Sequence, residues 1–522
     1  MKEIEIVILG TSDVHGKISS VNHVDKTKDD QKGMAKAATY IQAERKLNKH
    51  VLLIDNGDLI QGTPFAHYAM TETEVLNPIV QVLDYLQYDA AVLGNHEFNY
   101  GKERLDKVVS QSSFPWLSAN IVKKGTNEPY FGQPYMIKEF DGVKVAVLGL
   151  TTKYIPHWES DRHIEAFDFL DPVDKGREWV RFLKEEEQSD IVIVSYHGGF
   201  EYDPVTNKKI AEHTGENQAN ELQALEGVDV LLTGHQHLQY AVVTEEQKVM
   251  LQPGTQAEFV GKVDLTVRKE GNEVSIQKVI AELIPINLCM PDDTIVSMLK
   301  PIELEVDEWL DEKIATVSHR VAIEDPIHDV WLQEHPFIEW INRAMMKHTG
   351  AAIACTSLLR PDTLDINEAV SRRDVHALYP YPNSLAVVEL TSEDIRQALE
   401  VSASFLMVHE DGQVYINSDW ERPRLLSYNY DMWEGIEYTI DLRRPIGERV
   451  VDLSLDGEPL KNGLYEVVTS SYRASGSGGY YMFGKGKIIK DYNRDMVELL
   501  VEDLKREGEL LVEVNQNWKV IY

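Results

Sequence analysis

Short apolar runs recur through the first half of the chain, and each is followed at once by polar residues and glycine. IEIVIL (4–9) leads to Asp13 and His15, VLLI (51–54) to Asp58, and AAVL (90–93) to Asn95 and His96. KVAVLGL (144–150) leads to Thr151 and Thr152, IVIV (191–194) to His197, and VDVLL (228–232) to His235 and His237. Runs of this length, bounded by turn residues, read as buried strands. Between them lie helix-like stretches such as residues 33–48, where Met34, Ala37, Ala38 and Ile41 fall at helical spacing. Strand–helix alternation predicts an α/β domain, with ligands gathered at strand carboxyl ends. After residue 250 the pattern changes to alternating strands, KVDLTVRK and EVSIQKVIAEL. Residues 291–317 then read as a long connecting helix that Pro301 can kink. From about 320 to the end a second region, rich in Tyr, Arg and Gly, reads as α+β. The expected division is 1–288, a linker helix over 289–320, and 321–522.

At 522 residues the chain is long for one core, and 43% hydrophobic content allows each domain a core of its own. The formal charge of −34, from 86 acidic and 52 basic residues, repels nucleic-acid polymers and anionic membranes. It does not exclude a small anionic substrate, because bound cations or a few arginines reverse the field locally. Cys289 and Cys355 sit far apart in apolar company, which predicts two buried free thiols rather than a disulfide. The polar motif begins by residue 11, too early for an export signal, and no run is long enough for a membrane span. A cytoplasmic protein is expected as the sequence stands, and an extracytoplasmic one if a leader has been removed. Oligomeric state is left open.

The strand-end polar residues are Asp13, His15, Asp58, Asn95, His197, His235 and His237. Mixed imidazole, carboxylate and amide donors suit Mn or Zn, with Fe or Co also open, rather than Ca. Seven donors exceed one tetrahedral site and suit two divalent ions ~3.5–4 Å apart with a bridging carboxylate. A one-residue gap in an extended segment points both side chains the same way, so Asp13-x-His15 and His235-x-His237 can each grip neighbouring positions. Gly10, Gly57, Gly94 and Gly234 are expected to let the backbone turn beside the ions.

The ordered set D-x-H, GD, GNHE, H, GHxH over residues 4–260 resembles the calcineurin-like metallophosphoesterases. That resemblance implies an α/β/β/α sandwich of two sheets flanked by helices. It assigns Asp13, His15, Asp58 and His237 to one ion, and Asp58, Asn95, His197 and His235 to the other. It implies a water activated by the two cations as nucleophile and places His96 at the phosphoryl oxygens or leaving group. Glu97 is expected to be structural or to support a neighbouring ligand. The whole chain is similar to the 5'-nucleotidase superfamily and, within it, to the bifunctional 2',3'-cyclic-nucleotide 2'-phosphodiesterase/3'-nucleotidases. The stretches that carry this are DNGDLIQGTP, GNHEFNYG, LYPYPNSL, YNYDMWEG and YRASGSGG. By that resemblance Tyr381 and Tyr472 sandwich the base; read alone, each is more readily a core tyrosine with a hydrogen-bonded hydroxyl. Asn383 inherits a polar contact to the nucleoside, and Arg373 and Arg360 inherit contacts to phosphate or ribose. TSLLRPD lacks the double glycine usual before the first of these arginines.

Asn99 stands where 5'-nucleotidases have an aspartate beside the GNHE histidine and where the cyclic phosphodiesterases have Asn. An amide orients an imidazole without supplying charge. The expected activity is hydrolysis of 2',3'-cyclic nucleotides to 3'-nucleotides and then to nucleoside and phosphate. The alternatives are a 5'-nucleotidase with broader nucleotide or nucleotide-sugar activity, against which His237 counts because several of those enzymes have Gln there, and a non-catalytic nucleotide-binding or interaction protein.

Overall fold

A computed structural model describes every residue except 1, 30, 74, 160, 212, 272, 361–363, 381–382, 422–424 and 493–494. It divides into two compact units, Met1–Val306 and Asp307–Tyr522.

Two six-stranded sheets build the first unit. The strands of these two sheets are β1 (Lys2–Thr11), β2 (Val51–Asp55), β3 (Ala90–Val92), β4 (Trp116–Leu117), β5 (Tyr135–Phe140), β6 (Val143–Thr151), β7 (Ile191–His197), β8 (Val230–Leu232), β9 (Gln239–Val243), β10 (Val249–Pro253), β11 (Phe259–Glu270) and β12 (Glu273–Pro285). One sheet runs β12-β11-β1-β2-β3-β4 and the other β9-β10-β8-β7-β6-β5. The inner strands β1 to β4, and β6, β7, β8 and β10, pair in parallel, while β11, β12, β9 and β5 close the sheets antiparallel. Parallel neighbours need crossovers, and the helices Met34–Leu47, Pro64–Thr71, Pro78–Tyr85 and Lys102–Gln111 lie in those of the first sheet.

Side-chain alternation explains the uninterrupted apolar runs. In β6, Val145 and Val147 join Ile6, Ile8, Leu52, Ile191 and Ile193 in the core shared by the two sheets. Ala146, Leu148 and Leu150 point the other way, onto Val173, Val180 and Leu183 of the helix Pro172–Glu185. A strand covered on both faces has no polar face to show, so its periodicity vanishes. Asp171 starts that helix by accepting the N–H groups of Val173 (2.9 Å) and Asp174 (3.0 Å), with Pro172 at its first position.

Beyond the sandwich, the helix expected over 291–317 spans Asp293–Leu310 and contains Pro301. Lys313–Val317 is instead a strand, paired with Ala369–Ser371 and Glu509–Leu510. Its partly β-branched residues bury Ile314, Ala315 and Val317, with a register irregularity between Lys313 and Ala315, and that pairing overrides the helical pattern before it. In the second unit, five strands form a sheet in the order Asp431–Glu434, Ile353–Ser357, Leu464–Ser470, Leu385–Thr391, Lys487–Asp491, and the first four share one core with the helix Pro336–Thr349. Both cysteines are free; Cys355 is buried but Cys289 only half so, a correction to the expectation that both thiols are enclosed. Among the described residues no helix is long and apolar enough to cross a membrane.

Candidate metal centre

The parallel inner strands end at a common edge of the sandwich; His197 is the last residue of β7, and the loops that follow the strands carry the other six expected ligands. Five of these, Asp13, His15, Asp58, His235 and His237, themselves hold positive φ angles of 50° to 69°. That conformation costs a non-glycine residue about 1 kcal/mol or more and persists where the surroundings impose it, commonly at functional sites. The expectation that glycines do the turning holds at Gly57, with φ 94°, and is corrected at Gly10, which lies within β1 and where a Cβ would make only ordinary contacts. Gly94 matters for closeness instead. A Cβ on it would stand 2.2 Å from Asp58 Oδ1 and 2.6 Å from the Asp58 nitrogen.

Two groups of donor atoms result. Asp13, His15 and His237 offer atoms within 4.8 Å of one another, and so do Asp58, His197 and His235. Asn95 joins the second group through Oδ1, 2.9 Å from His235 Nδ1. Asp58 links the two: its Oδ2 is 3.2 Å from His197 Nε2 and 3.9 Å from His15 Nε2. Its other oxygen, Oδ1, accepts the His96 backbone N–H at 2.8 Å.

Groups around the cluster fix which nitrogen each imidazole presents. The His15 Nδ1–H donates to the Gln61 carbonyl (3.1 Å), and the His197 Nδ1–H to the Asn56 carbonyl (2.7 Å). The His235 Nε2–H donates to Glu216 Oε1 at 2.8 Å. A carbonyl or carboxylate only accepts, so the opposite nitrogen of each ring turns a lone pair into the cluster. His15 Nε2 and His237 Nε2 face each other at 3.0 Å, and the fully buried His197 Nε2 makes no hydrogen bond beyond its 3.2 Å approach to Asp58 Oδ2. Converging nitrogens around one shared carboxylate are what cation ligands require, so the residues fit two divalent ions.

Charge supports that fit. Burial pushes His15 below its ordinary pKa against the pull of Asp58, and takes His237 down to about 4 against the pull of Asp13, so both rings are neutral. His197 behaves oppositely: burial disfavours its charge, but the Asp58 carboxylate outweighs it and drives the ring up to about 10. Burial likewise opposes the charge on Asp58, yet His197, His96 and His15 hold that carboxyl well below the usual range.

Glu97, expected to be structural, is fully buried and accepts the N–H groups of Asp58 (2.8 Å), Leu59 (2.6 Å) and Gly94 (2.6 Å). It ties the loop of the bridging aspartate to the loop of Asn95. His96 stacks edge-on to His15 with ring centres 5.3 Å apart, and its Nδ1–H donates to Asn99 Oδ1 at 2.7 Å. Thr151 and Thr152 are not in the cluster; the Thr152 N–H donates to the His197 carbonyl (2.8 Å) and its hydroxyl to the Glu216 carbonyl (2.8 Å). Glu216 and the Asn56 carbonyl escape sequence reasoning, the first because it follows no apolar run, the second because a carbonyl has no residue signature. Trp158, whose ring lies 5.2 Å from that of His235, escapes it too.

In the second unit Tyr472 is 38% exposed, on the short helix Ser471–Ala474 and 6.5 Å from the ring of Tyr428. Tyr381, its expected counterpart, lies outside the described residues. Asn383 Nδ2 reaches the Tyr379 hydroxyl at 3.4 Å. Arg373 is buried, with Nε on Asp311 Oδ1 (2.9 Å) and Nη2 on Asp307 Oδ1 (3.1 Å), while its Nη1 has no partner. Arg360 is half-buried. An unanticipated residue is Arg473. Buried, it grips Asp431 through Nε (2.6 Å) and Nη2 (3.0 Å), donates from Nη1 to the Ser477 carbonyl (2.5 Å), and stacks 3.8 Å from the centre of Tyr480. The arginine of YRASGSGG therefore braces the glycine-rich loop behind Tyr472.

Two sheets whose shared edge carries two donor groups joined by one carboxylate define a dinuclear metal-dependent phosphoesterase. Residues 6–239 match the calcineurin-like phosphoesterase family, and residues 313–485 match the 5'-nucleotidase C-terminal domain. The chain belongs to the 5'-nucleotidase superfamily of metal-dependent phosphoester hydrolases. It is 26% identical to a Salmonella typhimurium 2',3'-cyclic-nucleotide 2'-phosphodiesterase/3'-nucleotidase, over 99% of this chain and 89% of that one. A Vibrio parahaemolyticus 5'-nucleotidase is 25% identical over 98% and 93% of the two chains. Among solved structures, a Staphylococcus aureus protein described as a 5'-nucleotidase, in complex with alpha-ketoglutarate, superposes with a TM-score of 0.84 at 29% identity, over 99% of this chain and 100% of that one.

Proposed function

We propose that the protein hydrolyses 2',3'-cyclic nucleotides to 3'-nucleotides and then releases the 3'-phosphate. The observation that carries this reading is the His96–Asn99 contact beside the metal cluster, in a chain similar end to end to enzymes named for that activity. In this reading Asp13, His15, Asp58 and His237 hold one divalent ion, and Asp58, Asn95, His197 and His235 hold the other, with Mn or Zn suited to the donor set. Such a pair supplies Lewis acidity and an attacking water of lowered pKa. His96 hydrogen-bonds a phosphoryl oxygen or the leaving group through Nε2, since Nδ1 is committed to Asn99. Tyr381 and Tyr472 stack the base, a contact indifferent to base identity. Asn383 contacts the nucleoside. Arg360 and Arg373 contact phosphate or ribose.

A 5'-nucleotidase is the second reading, favoured by the likeness to the Staphylococcus aureus and Vibrio proteins. A 3'- and a 5'-phosphate leave opposite ends of the ribose, so one pose cannot place both for in-line attack, and misplacement by ~1 Å costs about 10²-fold. Measuring kcat/KM for adenosine 2',3'-cyclic phosphate, 3'-AMP and 5'-AMP with Mn²⁺ separates the two. Preference for the first two substrates supports the proposal, and a clear preference for 5'-AMP rejects it.

A further inference from the structure

The contact between His96 and Asn99 leaves a question that an aspartate there would not raise. A carboxylate can only accept, so it would hold the imidazole with its proton on Nδ1. An amide can turn either its oxygen or its NH₂ toward the ring, and the two placements demand opposite tautomers. If Oδ1 faces His96, the proton sits on Nδ1 and Nε2 faces outward with a lone pair or a second proton. If Nδ2 faces it, Nδ1 must accept and the single proton moves to Nε2.

Glu159 decides between them. Asn99 Nδ2 donates to Glu159 Oε2 at 2.8 Å, and since that carboxylate only accepts, the amide oxygen is left for His96 Nδ1–H at 2.7 Å. Glu159 is itself held: its side chain is 7% exposed, and Oε1 accepts from His163 Nδ1 at 2.8 Å. Its backbone N–H donates to the Ile155 carbonyl at 2.9 Å. His163, Glu159, Asn99 and His96 thus form one continuous hydrogen-bonded line ending at the metal cluster.

We propose that Glu159 is a positioning residue for the phosphoester hydrolysis: by fixing the orientation of the Asn99 amide it sets the tautomer and aim of the His96 ring. The carboxylate acts at one remove, so the imidazole gains the directional control of a carboxylate partner without a negative charge in contact with it. Glu159 touches neither substrate nor metal ligand in this role. The inference rests on His96 facing substrate, and is independent of which nucleotide the enzyme prefers.

The test is a rescue. Glu159→Ala should keep both metal ions and a KM within about 3-fold of wild type, but lose roughly 10- to 10³-fold in kcat, the scale on which misdirected acid–base groups fail. Adding Asn99→Asp to that variant restores an obligate acceptor beside His96 and should recover most of the lost kcat. Glu159→Gln fills the same space, guarding against misfolding of the alanine variant. Its amide can present either atom to Asn99, so kcat should fall less and again be restored by Asn99→Asp. A residue that merely supports the loop would be missed equally in both backgrounds. The proposal is overturned if the double variants are as slow as the single ones, or if the single variants keep wild-type kcat. Using whichever phosphoester wild type turns over fastest, p-nitrophenyl phosphate included, keeps this outcome separate from failure of the proposed nucleotide preference.

Discussion

Single residues in the metal cluster have opposed proton affinities, and this has a measurable consequence. His15 and His237 present neutral nitrogens, so a cation entering their group displaces no proton from them above about pH 6. His197, raised to about 10 beside Asp58, carries a proton at pH 8 that an ion must expel. Affinity at the Asp58–His197–His235 group should therefore rise with pH, approaching ~10-fold per unit below about 10, with close to one proton released per ion. Calorimetric titration of the metal-free protein in buffers of different ionisation enthalpy measures that number, and binding without proton release at pH 7–8 would refute the assignment. Tyr472 makes a second residue-scale case. If it stacks the base, Tyr472→Ala should raise KM for nucleotides by the equivalent of ~1–3 kcal/mol and leave p-nitrophenyl phosphate nearly untouched. Equal damage to both substrates would make it a structural tyrosine. The seven candidate ligands were legible because Asp, His and Asn after apolar runs are chemically conspicuous. Glu159 and Glu216 were not, since their meaning lies in which atom they touch.

At the level of elements, the site depends on how closely two strand-end loops approach. β2 and β3 are parallel neighbours, and their loops meet where Gly94 passes Asp58 and Glu97 collects N–H groups from both. Gly94→Ala would put a methyl 2.2 Å from Asp58 Oδ1, a distance no side chain tolerates. The carboxylate must swing away, and if it is shared by the two donor groups as proposed, binding of both ions should be weakened together. Elemental analysis of the purified variant should find fewer than one ion per chain, and two retained ions would contradict the bridging role of Asp58. The strand and helix sequence of this region was readable from periodicity. The strand Lys313–Val317 was not, because the partners that extend it, Ala369–Ser371 and Glu509–Leu510, lie far along the chain.

On the scale of the molecule, two compact units with separate cores predict two unfolding transitions, only one of which includes the metal ligands. Chelation should lower that transition and leave the other in place. An ion present at ~100 times its Kd contributes about 2.7 kcal/mol, so removing two should shift the midpoint by on the order of 5 °C or more. Differential scanning calorimetry before and after EDTA treatment reads this directly, and equal shifts in both transitions would mean that the ions stabilise more than the unit that binds them.

Residue order alone determined the class of chemistry. Apolar runs specify buried strands through burial free energy, and donors placed just after them are bound to meet at one edge once the strands run parallel. Tertiary structure decided what depends on atoms rather than residue types: that Asp58 Oδ2 is the oxygen shared by both groups, that the ligands themselves carry the left-handed backbone, and that Glu216, Asn56 and Glu159 set the rings. Hydrogen bonds act over about 3 Å between groups as far apart here as His235 and Asp13, 222 residues along the chain, and no local pattern in a sequence encodes a contact of that kind.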